Sequence, residues 1–334
     1  MGSNATGARG GWTYMDAVES AEAVRWFSRS EVLRHFGPQQ ALAAVKEALH
    51  WQREGLVEAP TRLRVSREGV TLLAMPATTP AGSGTKVLTV APDNIALGLP
   101  AIQGVMLVFG PDHGELRAVI DGAALTAVRT AGIAACATQL LADEEASSLL
   151  LVGAGAQAAH QVEAILAVRH IQRLLIWNRT QERAELLAAR VLKRCPRLCV
   201  EVVSDVTKAA ASSDIITLVT GSRTPLLALS DLPRHVHINA MGAHEPDARE
   251  LASDVIQAAD VFVDTVEGCR AEAGDLLIPI AEGSPPARVR PLADVDLRHG
   301  PLTVMKSVGS SVFDLSCGIA VMNACEGVPM GRTI

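Results

Sequence analysis

One segment in the middle of the chain constrains its fold more than any other. An apolar run, Ser148–Val152, enters the glycine turn Gly153-Ala-Gly-Ala-Gln157, and a helix-like stretch follows from His160 to Val168. A second apolar run, Leu174–Trp177, comes next. The glycines let the backbone turn tightly and approach a pyrophosphate, while the helix N-terminus offers N–H groups and the positive end of its dipole. The order strand, turn, helix, strand therefore predicts a Rossmann dinucleotide-binding unit.

The residues that end the second strand select the cofactor. An NAD site usually places Asp or Glu there to bind the ribose hydroxyls, and such a carboxylate would repel a 2′-phosphate. This chain reads Asn178-Arg179-Thr180. An amide, a guanidinium and a hydroxyl can all donate to a phosphate, and arginine does so with a planar fork. The sequence predicts NADPH as cofactor and leaves acceptance of NADH open.

The composition restricts the class of protein. A length of 334 residues suggests about two domains. Hydrophobic residues make up 49% and aromatic residues only 3%, so the cores consist of Ala, Val, Leu and Ile, which suits a buried parallel sheet. Few aromatics and a net charge of -6 without a basic footprint argue against nucleic acid as a partner.

The cysteines and histidines do not form a metal motif. Of six cysteines only Cys195 and Cys199 lie close together, and no second pair or histidine cluster completes a zinc site. His235 and His237 alternate at the start of a strand-like run and are expected to be a strand-edge pair. The N-terminus has no apolar signal core and no run suits a membrane helix. We therefore expect a cytoplasmic protein with reduced thiols, no metal and no membrane partner.

The pattern changes along the chain. Residues 1–20 are rich in Gly, Ser, Asn and Ala and are expected to be a flexible tail. Between residues 61 and 109, short strand-like runs separated by turn residues predict an antiparallel or mixed sheet. A final helix from Val312 to Cys325 is expected to return to this first domain. Between these regions strand and helix alternate, which predicts a doubly wound parallel sheet with strands at Leu149–Val152, Leu174–Trp177, Ile215–Thr220, His237–Ala240 and Val261–Asp264.

A set of short motifs from about Val32 to Ala324 resembles the ornithine cyclodeaminase/mu-crystallin family of NAD(P)-dependent enzymes, most closely its NADPH-dependent ketimine and Δ1-pyrroline-2-carboxylate reductases. The motifs are Pro60-Thr-Arg62, Thr85-Lys86, Leu125-Thr-Ala-Val-Arg129-Thr130-Ala131, Gly153–Gln157, Asn239–Ala243, Arg249-Glu250-Leu251, Glu272-Ala-Gly-Asp275 and Lys306–Gly309. The family also includes cyclodeaminases and an alanine dehydrogenase, so the motifs indicate the family more closely than the substrate.

The resemblance implies an α/β architecture in two parts. A discontinuous α+β domain for substrate binding and dimerisation would comprise residues 21–130 and 306–334. A Rossmann domain would comprise residues 131–305. The protein would be a homodimer joined through the sheets of the substrate domains, with a site for a small imino or amino acid between the two domains.

The resemblance also assigns the site residues. Arg62 and Arg129 would bind a carboxylate, which arginine grips through two parallel hydrogen bonds. Lys86 would act at the reacting centre, and two neighbouring guanidiniums should lower its pKa and help it exchange protons. The residues expected to contact the cofactor are Thr130, Gly153, Gly155, Ala156, Gln157, Asn178, Arg179, Thr180, Lys306, Ser307 and Gly309.

The loop after Asn239 departs from the family pattern. Cyclodeaminase-like and alanine dehydrogenase-like members carry an Asp after its Gly-Ala pair, whereas this chain has His244 there and its next Asp at Asp247. His244 is a candidate general acid near neutral pH or, alternatively, an exposed loop residue. Whether Asp247 reaches the site is left open. Loss of the carboxylate argues against cyclodeamination, which needs oxidation, ring closure with loss of ammonia, and reduction.

Three functions follow as hypotheses. The first is NADPH-dependent reduction of a small cyclic ketimine or imino acid: Δ1-pyrroline-2-carboxylate to proline, or Δ1-piperideine-2-carboxylate to pipecolate. The second is an ornithine or lysine cyclodeaminase or an amino-acid dehydrogenase using NAD, against which the Asn178-Arg179-Thr180 segment and the missing Asp both argue. The third is an NADPH-binding protein without turnover, against which the complete set of Arg62, Lys86 and Arg129 argues.

Overall fold

The computed structural model describes residues 24–295, 299–324 and 332–333. The predicted tail, residues 1–20, and Cys325 lie outside the described residues. The strands are β1 Arg25–Phe27, β2 Leu63–Arg67, β3 Val70–Thr79, β4 Gly82–Val90, β5 Ile102–Phe109, β6 Leu116–Asp121, β7 Ser148–Val152, β8 Arg173–Trp177, β9 Cys199–Val202, β10 Ile215–Leu218, β11 Val236–Ala240, β12 Asp260–Val263, β13 Arg288–Pro291, β14 Leu302–Lys306 and β15 Arg332–Thr333. The helices are α1 Arg29–His35, α2 Pro38–Arg53, α3 Gly122–Leu141, α4 Ala158–Leu166, α5 Gln181–Arg194, α6 Val206–Ala210, α7 Ser253–Ala258, α8 Val266–Glu272, α9 Gly274–Ala281 and α10 Ser311–Ala324.

The first third of the chain forms a mixed sheet, as predicted. Within the described residues it has seven strands in the order β15-β1-β6-β5-β4-β3-β2. Neighbouring strands are antiparallel except β1 and β6, which are parallel. Helix α10 packs on β3, β4 and β5 and also on α2 and α3. The last helix therefore returns to the first sheet, as the sequence predicted.

The middle of the chain forms the predicted doubly wound sheet. Its described strands run parallel in the order β13-β12-β14-β11-β10-β7-β8-β9. Successive residues of β7 enter cores on opposite faces: Leu149 and Leu151 on one side, Leu150 and Val152 on the other. Because both faces are buried, the strand is a continuous apolar run. The predicted strands are confirmed, whereas β9, β13 and β14 were not anticipated.

The strand order places a ligand cleft beside β7. The chain runs from β7 to β8 and β9 in one direction and then continues on the other side of β7 with β10. The loops that leave the carboxyl ends of β7 and β10 therefore diverge. In open α/β sheets such a topological switch point is the usual place for a dinucleotide.

Helix α3 joins the two sheets. It packs against α2 and α4 and reaches β5 of one sheet and β11 of the other. It is the one described helix long and apolar enough to cross a membrane, but 83% of that apolar stretch is buried in the protein, as for a core helix. A Cβ on its Gly132 would lie 3.1 Å from the backbone of Ala41, so glycine permits the close approach of α2. The predicted domain boundary at residue 130 falls inside this helix and does not coincide with a linker.

His237 differs from its sequence prediction. It lies on β11, which pairs with β10 and β14 inside the parallel sheet, and 1% of its surface is exposed. Its Nδ1 lies 2.9 Å from Thr303 Oγ1 and its Nε2 lies 3.1 Å from Asn239 Oδ1. Burial lowers its pKa to about 3, so the ring is neutral. The prediction of a strand-edge pair was therefore wrong for His237, although His235 is exposed.

Candidate active site

A cleft of about 340 Å³ lies between the inner face of the first sheet and the loops after β7 and β10. The predicted cationic residues Arg62, Lys86 and Arg129 all line it. Leu73 and Leu88, which pair across β3 and β4, add an apolar surface on the same face of the sheet as Lys86. The other predicted site residues that line the cleft are Thr130, Gln157, His244, Ser307 and Gly309. Residues separated by up to about 250 positions are thus assembled at the switch point.

A larger cavity of about 630 Å³ lies at the opposite, amino-terminal ends of the parallel strands. Asp214, His235 and His299 contribute to its lining, and none of the predicted site residues does. Size therefore does not identify the functional site here. The smaller cleft holds the convergent polar groups that a small-molecule site requires.

Lys86 is the most buried of the three cations, with 1% of its surface exposed. It stands on β4 in register with Met75 on β3 and Met106 on β5. Its Nζ lies 2.8 Å from Asp314 Oδ1 and 2.7 Å from Oδ2, and it donates to Thr126 Oγ1 at 3.3 Å. Burial lowers the pKa of Lys86 to about 8, with Asp314 raising it and Arg129 and Arg62 lowering it further. The predicted direction is confirmed, but burial is the largest cause.

Sequence reasoning missed Asp314. It lies in the first turn of α10 and is completely buried, with Lys86 on one side and Arg129 Nε on the other at 3.0 Å from Oδ1. Burial alone would raise the pKa of Asp314, but Arg129 and Lys86 outweigh it, so that pKa lies below its usual value. A carboxylate in an otherwise apolar helix was the signal available in the sequence, because charged residues are rarely buried without a partner.

Arg62 precedes β2 and reaches the segment that leaves β14. It donates to Val308 O at 2.8 Å and to Gly309 O at 2.9 Å, and it forms an ion pair with Glu272 at 3.0 Å. Burial raises the pKa of Glu272 while Arg62 lowers it, and the net shift is upward. Arg62 thus lines the cleft and ties the first sheet to the parallel sheet.

The segment Ser307–Gly309 is fixed by a second carboxylate that the sequence did not reveal. Asp264, just after β12, accepts from Ser307 Oγ at 2.6 Å and from Gly309 N at 2.7 Å. Gly309 has a φ of 86°, and a Cβ there would lie 2.8 Å from a terminal nitrogen of Arg129. Glycine at this position therefore leaves room for the Arg129 guanidinium.

Lys306 does not face the cleft, in contrast to its predicted contact with the cofactor. It is fully buried, its Nζ lies 2.7 Å from Asp275 Oδ2, and it donates to Ala243 O. Burial alone would lower the pKa of Lys306, but Asp275 and Glu250 outweigh it and raise that pKa. Its ammonium therefore belongs to a framework of buried charged groups, Lys306, Asp275 and Glu250, beneath the loop after β11.

Glu250 completes this framework. Its carboxylate accepts from Thr220 N at 2.7 Å, Gly242 N at 2.9 Å and Ala243 N at 3.2 Å. Asp275 accepts from the backbone N–H of Glu250 at 2.8 Å. The loops after β10 and β11, which form one side of the cleft, are thus held by a buried charged network.

The glycine turn fits a nicotinamide dinucleotide. Gly153 has a φ of 107°, and a Cβ on Gly155 would meet open space, so the backbone is accessible at the start of α4. Ala158 N donates to Gly155 O, while within the described part of the chain the amides of Gly155, Ala156 and Gln157 have no acceptor. Free amides at a helix N-terminus suit a pyrophosphate.

The segment after β8 has a divided role. Asn178 Oδ1 accepts from Ala154 N at 2.9 Å, and its Nδ2 donates to Thr180 O at 2.7 Å, so this side chain holds the turn in place. Arg179 and Thr180 are exposed. Of the three residues predicted to select the cofactor, these two therefore have exposed side chains, whereas Asn178 is held by the turn.

The loop after β11 places His244 at the cleft but not Asp247. His244 is exposed, lines the cleft and has its Nδ1 3.1 Å from Gly242 O. Asp247 instead pairs with Arg223, which also binds Glu245 at 2.8 Å. Among the described residues that line the cleft there is no carboxylate.

A doubly wound sheet with a glycine turn, joined to a second sheet that presents three cations, defines a class: two-domain NAD(P)-linked enzymes acting on small carboxylates. The model of the ornithine cyclodeaminase/mu-crystallin family matches residues 23–325, and the chain belongs to this family. The resemblance seen in the motifs is thereby confirmed.

Known relatives are similar over most of the chain. It is 36% identical to a Δ1-pyrroline-2-carboxylate reductase of Colwellia psychrerythraea, over 72% of this chain and 79% of that one. It is 33% identical to ketimine reductase mu-crystallin of Mus musculus, over 90% and 94% of the two chains. A Thermococcus litoralis Δ1-pyrroline-2-carboxylate reductase, solved with NADH and L-proline, superposes with a TM-score of 0.88 at 26% identity, covering 93% of this chain and 100% of that one.

Proposed function

We propose that this enzyme reduces small cyclic ketimines with NADPH, converting Δ1-pyrroline-2-carboxylate to proline or Δ1-piperideine-2-carboxylate to pipecolate. The observation that carries the proposal is the grouping of Lys86, Arg129 and Arg62 in one cleft, beside an apolar surface that includes Leu73 and Leu88. The named activities of the Colwellia and mouse relatives support it. A ring that carries a carboxylate beside a C=N bond offers one anion, one basic nitrogen and an apolar edge, which matches this lining.

The cations divide the work of binding and proton transfer. The Nε of Arg129 donates a hydrogen bond to Asp314. Its terminal nitrogens, near Gly309, are the groups that would bind the carboxylate of the substrate. With a pKa of about 8, Lys86 is mostly protonated at neutral pH yet can release its proton to the imine nitrogen. Leu73 and Leu88, next to Lys86 on the same sheet face, would cover the apolar edge of the ring. Positioning and one proton are what a preformed C=N bond requires.

The turn Gly153–Gln157 would hold the pyrophosphate, and Ser307–Gly309 would lie beside the nicotinamide. The bound cofactor supplies the hydride that reduces the imine carbon. Overall the C=N bond would become a C–N single bond: the carbon would gain the hydride that a reduced cofactor supplies, and the nitrogen would gain a proton. Lys86 then regains its proton from solvent.

The first experiment follows NADPH and NADH oxidation by absorbance with the two ring ketimines generated in situ. Parallel assays contain pyruvate with ammonia or methylamine, and ornithine with NAD. Fast NADPH oxidation with a ring substrate is expected. Activity with open-chain imines alone would move the function to amino-acid dehydrogenation, ammonia release from ornithine would revive cyclodeamination, and tight NADPH binding without turnover would support a binding role.

The preference for NADPH rests on Arg179. Arg179→Ala is expected to weaken NADPH binding by roughly tenfold to a hundredfold with little effect on NADH, since a charged hydrogen bond to the 2′-phosphate is lost. Arg173→Ala is the matched control, because Arg173 is exposed at the other end of the same strand and pairs with Glu201. Equal losses for both cofactors would contradict the preference.

Dimerisation is proposed through the outer face of the first sheet. Leu63, Val65, Val70 and Leu72 are 64%, 56%, 45% and 43% exposed, and Val65 pairs with Leu72 across β2 and β3. A contiguous apolar sheet face of this kind indicates an interface, here with a second copy of the chain. Sedimentation should give a dimer, and Leu72→Glu a monomer. A wild-type monomer at micromolar concentration would contradict the proposal. The predicted cytoplasmic location stays a prediction.

A further inference from the structure

Asp314 is the point where the last helix meets the cationic side of the cleft. Its carboxylate contacts the Lys86 ammonium through both oxygens, at 2.7 and 2.8 Å, and the Arg129 Nε at 3.0 Å. All three groups are buried. The carboxylate joins β4 and α3 through α10, and the topology brings these elements together from distant parts of the chain.

The charges around Lys86 explain why a carboxylate is needed there. The charged groups that face it are Arg129 on α3, Arg62 before β2 and Asp314 on α10, with Thr126 as a neutral neighbour. Its strand neighbours Met75 and Met106 are apolar. Burial and both guanidiniums favour the neutral amine, and Asp314 alone among these groups favours the ammonium. Without Asp314, burial and the two arginines would lower the pKa of Lys86 further, so the amine would lose its proton at lower pH.

We propose that Asp314 is a positioning residue of this active site: it fixes Lys86 and Arg129 on one side of the cleft and keeps Lys86 protonated before substrate binds. The inference rests on the proposed function, because it concerns the proton that Lys86 gives to the imine nitrogen. Asp314 itself does not touch the substrate; it acts through Lys86 and Arg129.

The position of α10 does not depend on Asp314 alone. Ser311 Oγ donates to Pro76 O at 2.7 Å, and Ser316 Oγ donates to Ala44 O at 2.6 Å. The apolar side chains of the helix belong to the main core, among them Phe313 and Leu315. The helix is thus anchored on both sides of the carboxylate, so Asp314→Asn is expected to fold with α10 in place.

The decisive experiment is the pH profile of kcat/KM for ketimine reduction in the wild type and in Asp314→Asn. Reduction needs the Lys86 ammonium, so activity falls as pH rises through the pKa of Lys86, which is about 8 in the wild type. Asparagine keeps an oxygen acceptor for Arg129 but removes the negative charge, so this descending limb should move at least one pH unit to lower pH. The ascending limb of amino-acid oxidation should move in the same direction. Ionisation of the substrate itself cancels in the comparison.

The outcomes separate positioning from a merely structural role. The KM of Asp314→Asn should change by less than about threefold, whereas Asp314→Ala should shift the limb and also raise KM by roughly tenfold, because Arg129 loses its acceptor. A uniform loss of activity with an unmoved limb would overturn the proposal. Asp275→Asn is the matched control: it also removes a carboxylate from a buried lysine, and it should leave the limb in place.

A second measurement does not depend on turnover. Lysine labelled with ¹³C at Cε gives separate signals, and Lys86→Arg assigns that of Lys86. The lysines are Lys46, Lys86, Lys193, Lys208 and Lys306. The Lys86 signal should titrate at lower pH in Asp314→Asn. Should that variant not fold, Asp314→Ala carries the test, and the Lys86 signal should again titrate at lower pH. An unmoved signal would refute the inference, whereas absent turnover would refute only the proposed function.

Discussion

Lys86–Asp314 and Lys306–Asp275 are two buried ion pairs of nearly the same geometry, and they have opposite properties. In each pair Nζ lies 2.7 Å from Oδ2, and the lysines are 1% and 0% exposed. Yet the pKa of Lys86 is lowered to about 8, whereas that of Lys306 is raised. Burial and pairing with an aspartate are common to both lysines, so neither explains why the two pKa values differ.

The third neighbour makes the difference. Lys86 shares its aspartate with Arg129 and has Arg62 nearby, so cations outnumber anions around it. Lys306 has Glu250 as a second anion and Ala243 O as an acceptor. Excess negative charge around a lysine raises its pKa, so the ammonium stays charged and stabilises the fold. Excess positive charge lowers the pKa, so the ammonium can give up its proton. Under the proposed function, Lys86 therefore exchanges protons with the substrate, whereas Lys306 stabilises the fold.

The largest effect is expected from Lys86→Met. Methionine fills the space without a transferable proton, so kcat for ketimine reduction should fall roughly 10²–10⁴-fold, the usual contribution of a general acid. Stopped assays at several enzyme concentrations would measure the residual rate, and urea unfolding would check the fold. Lys46→Met, at an exposed position of α2, is the control. A loss below tenfold would place the proton donor elsewhere, with His244 the next candidate.

Lys306→Met should act on stability instead. Removing one partner of a buried pair leaves Asp275 and Glu250 uncompensated, which typically costs about 3–5 kcal/mol. The free energy of unfolding from urea titration measures this loss. Because Ala243 also loses its donor, cofactor binding at the adjacent loops should weaken as well. A stable Lys306→Met enzyme with a large fall in kcat would erase the distinction between the two lysines.

The sequence could predict the parts of the site that lie in local patterns. The strand, glycine turn and helix at Ser148–Leu166 are contiguous, and the cations stand out in apolar stretches. Asp314 could not be paired with Lys86, since they lie 228 positions apart and only the docking of α10 on the first sheet joins them. The inward direction of Lys306 likewise depends on Asp275 of another element. Contacts of this kind follow from strand order and helix docking.

The error at His237 has the same cause. Its strand was predicted correctly, but β14 was not, and β14 inserts between β11 and β12. Strand β14 flanks β11 on the side away from β10 and supplies Thr303 as a partner for the ring. Periodicity identifies strands, whereas their order in a parallel sheet comes from crossovers that leave little trace in sequence.

His237 is a buried titratable group whose ring contacts Thr303 and Asn239, with no carboxylate partner among the residues that the structure describes. Its pKa of about 3 lies below the ordinary value of 6.5, so below pH 6.5 the unfolded chain binds a proton that the folded protein refuses. Its contribution to stability is therefore present above pH 6.5 and is lost as pH falls toward 3, by up to about 1.4 kcal/mol per pH unit.

Urea unfolding between pH 7 and 5 should accordingly show a shallower pH dependence in His237→Gln than in the wild type. His113→Gln, at an exposed turn, should keep the wild-type slope. Parallel slopes for wild type and His237→Gln would mean that the ring can become protonated inside the fold, and burial alone would then not suffice to hold a titratable group neutral.

The variant with the smallest expected effect tests how Arg129 is kept in place beside Lys86 and Asp314. Gly309→Ala would force a side chain into a φ of 86° and put its Cβ 2.8 Å from an Arg129 nitrogen. The backbone strain costs roughly 1–2 kcal/mol, and the displaced guanidinium should raise KM for the ketimine roughly tenfold. Because Lys86 keeps Asp314, kcat and the position of the descending pH limb should change little. Gly283→Ala is the control: its φ of 77° gives similar strain, but its Cβ would meet open space and Gly283 does not line the cleft. A rise in KM shared by both variants would assign the effect to lost stability, and a rise confined to Gly309→Ala to the placement of Arg129.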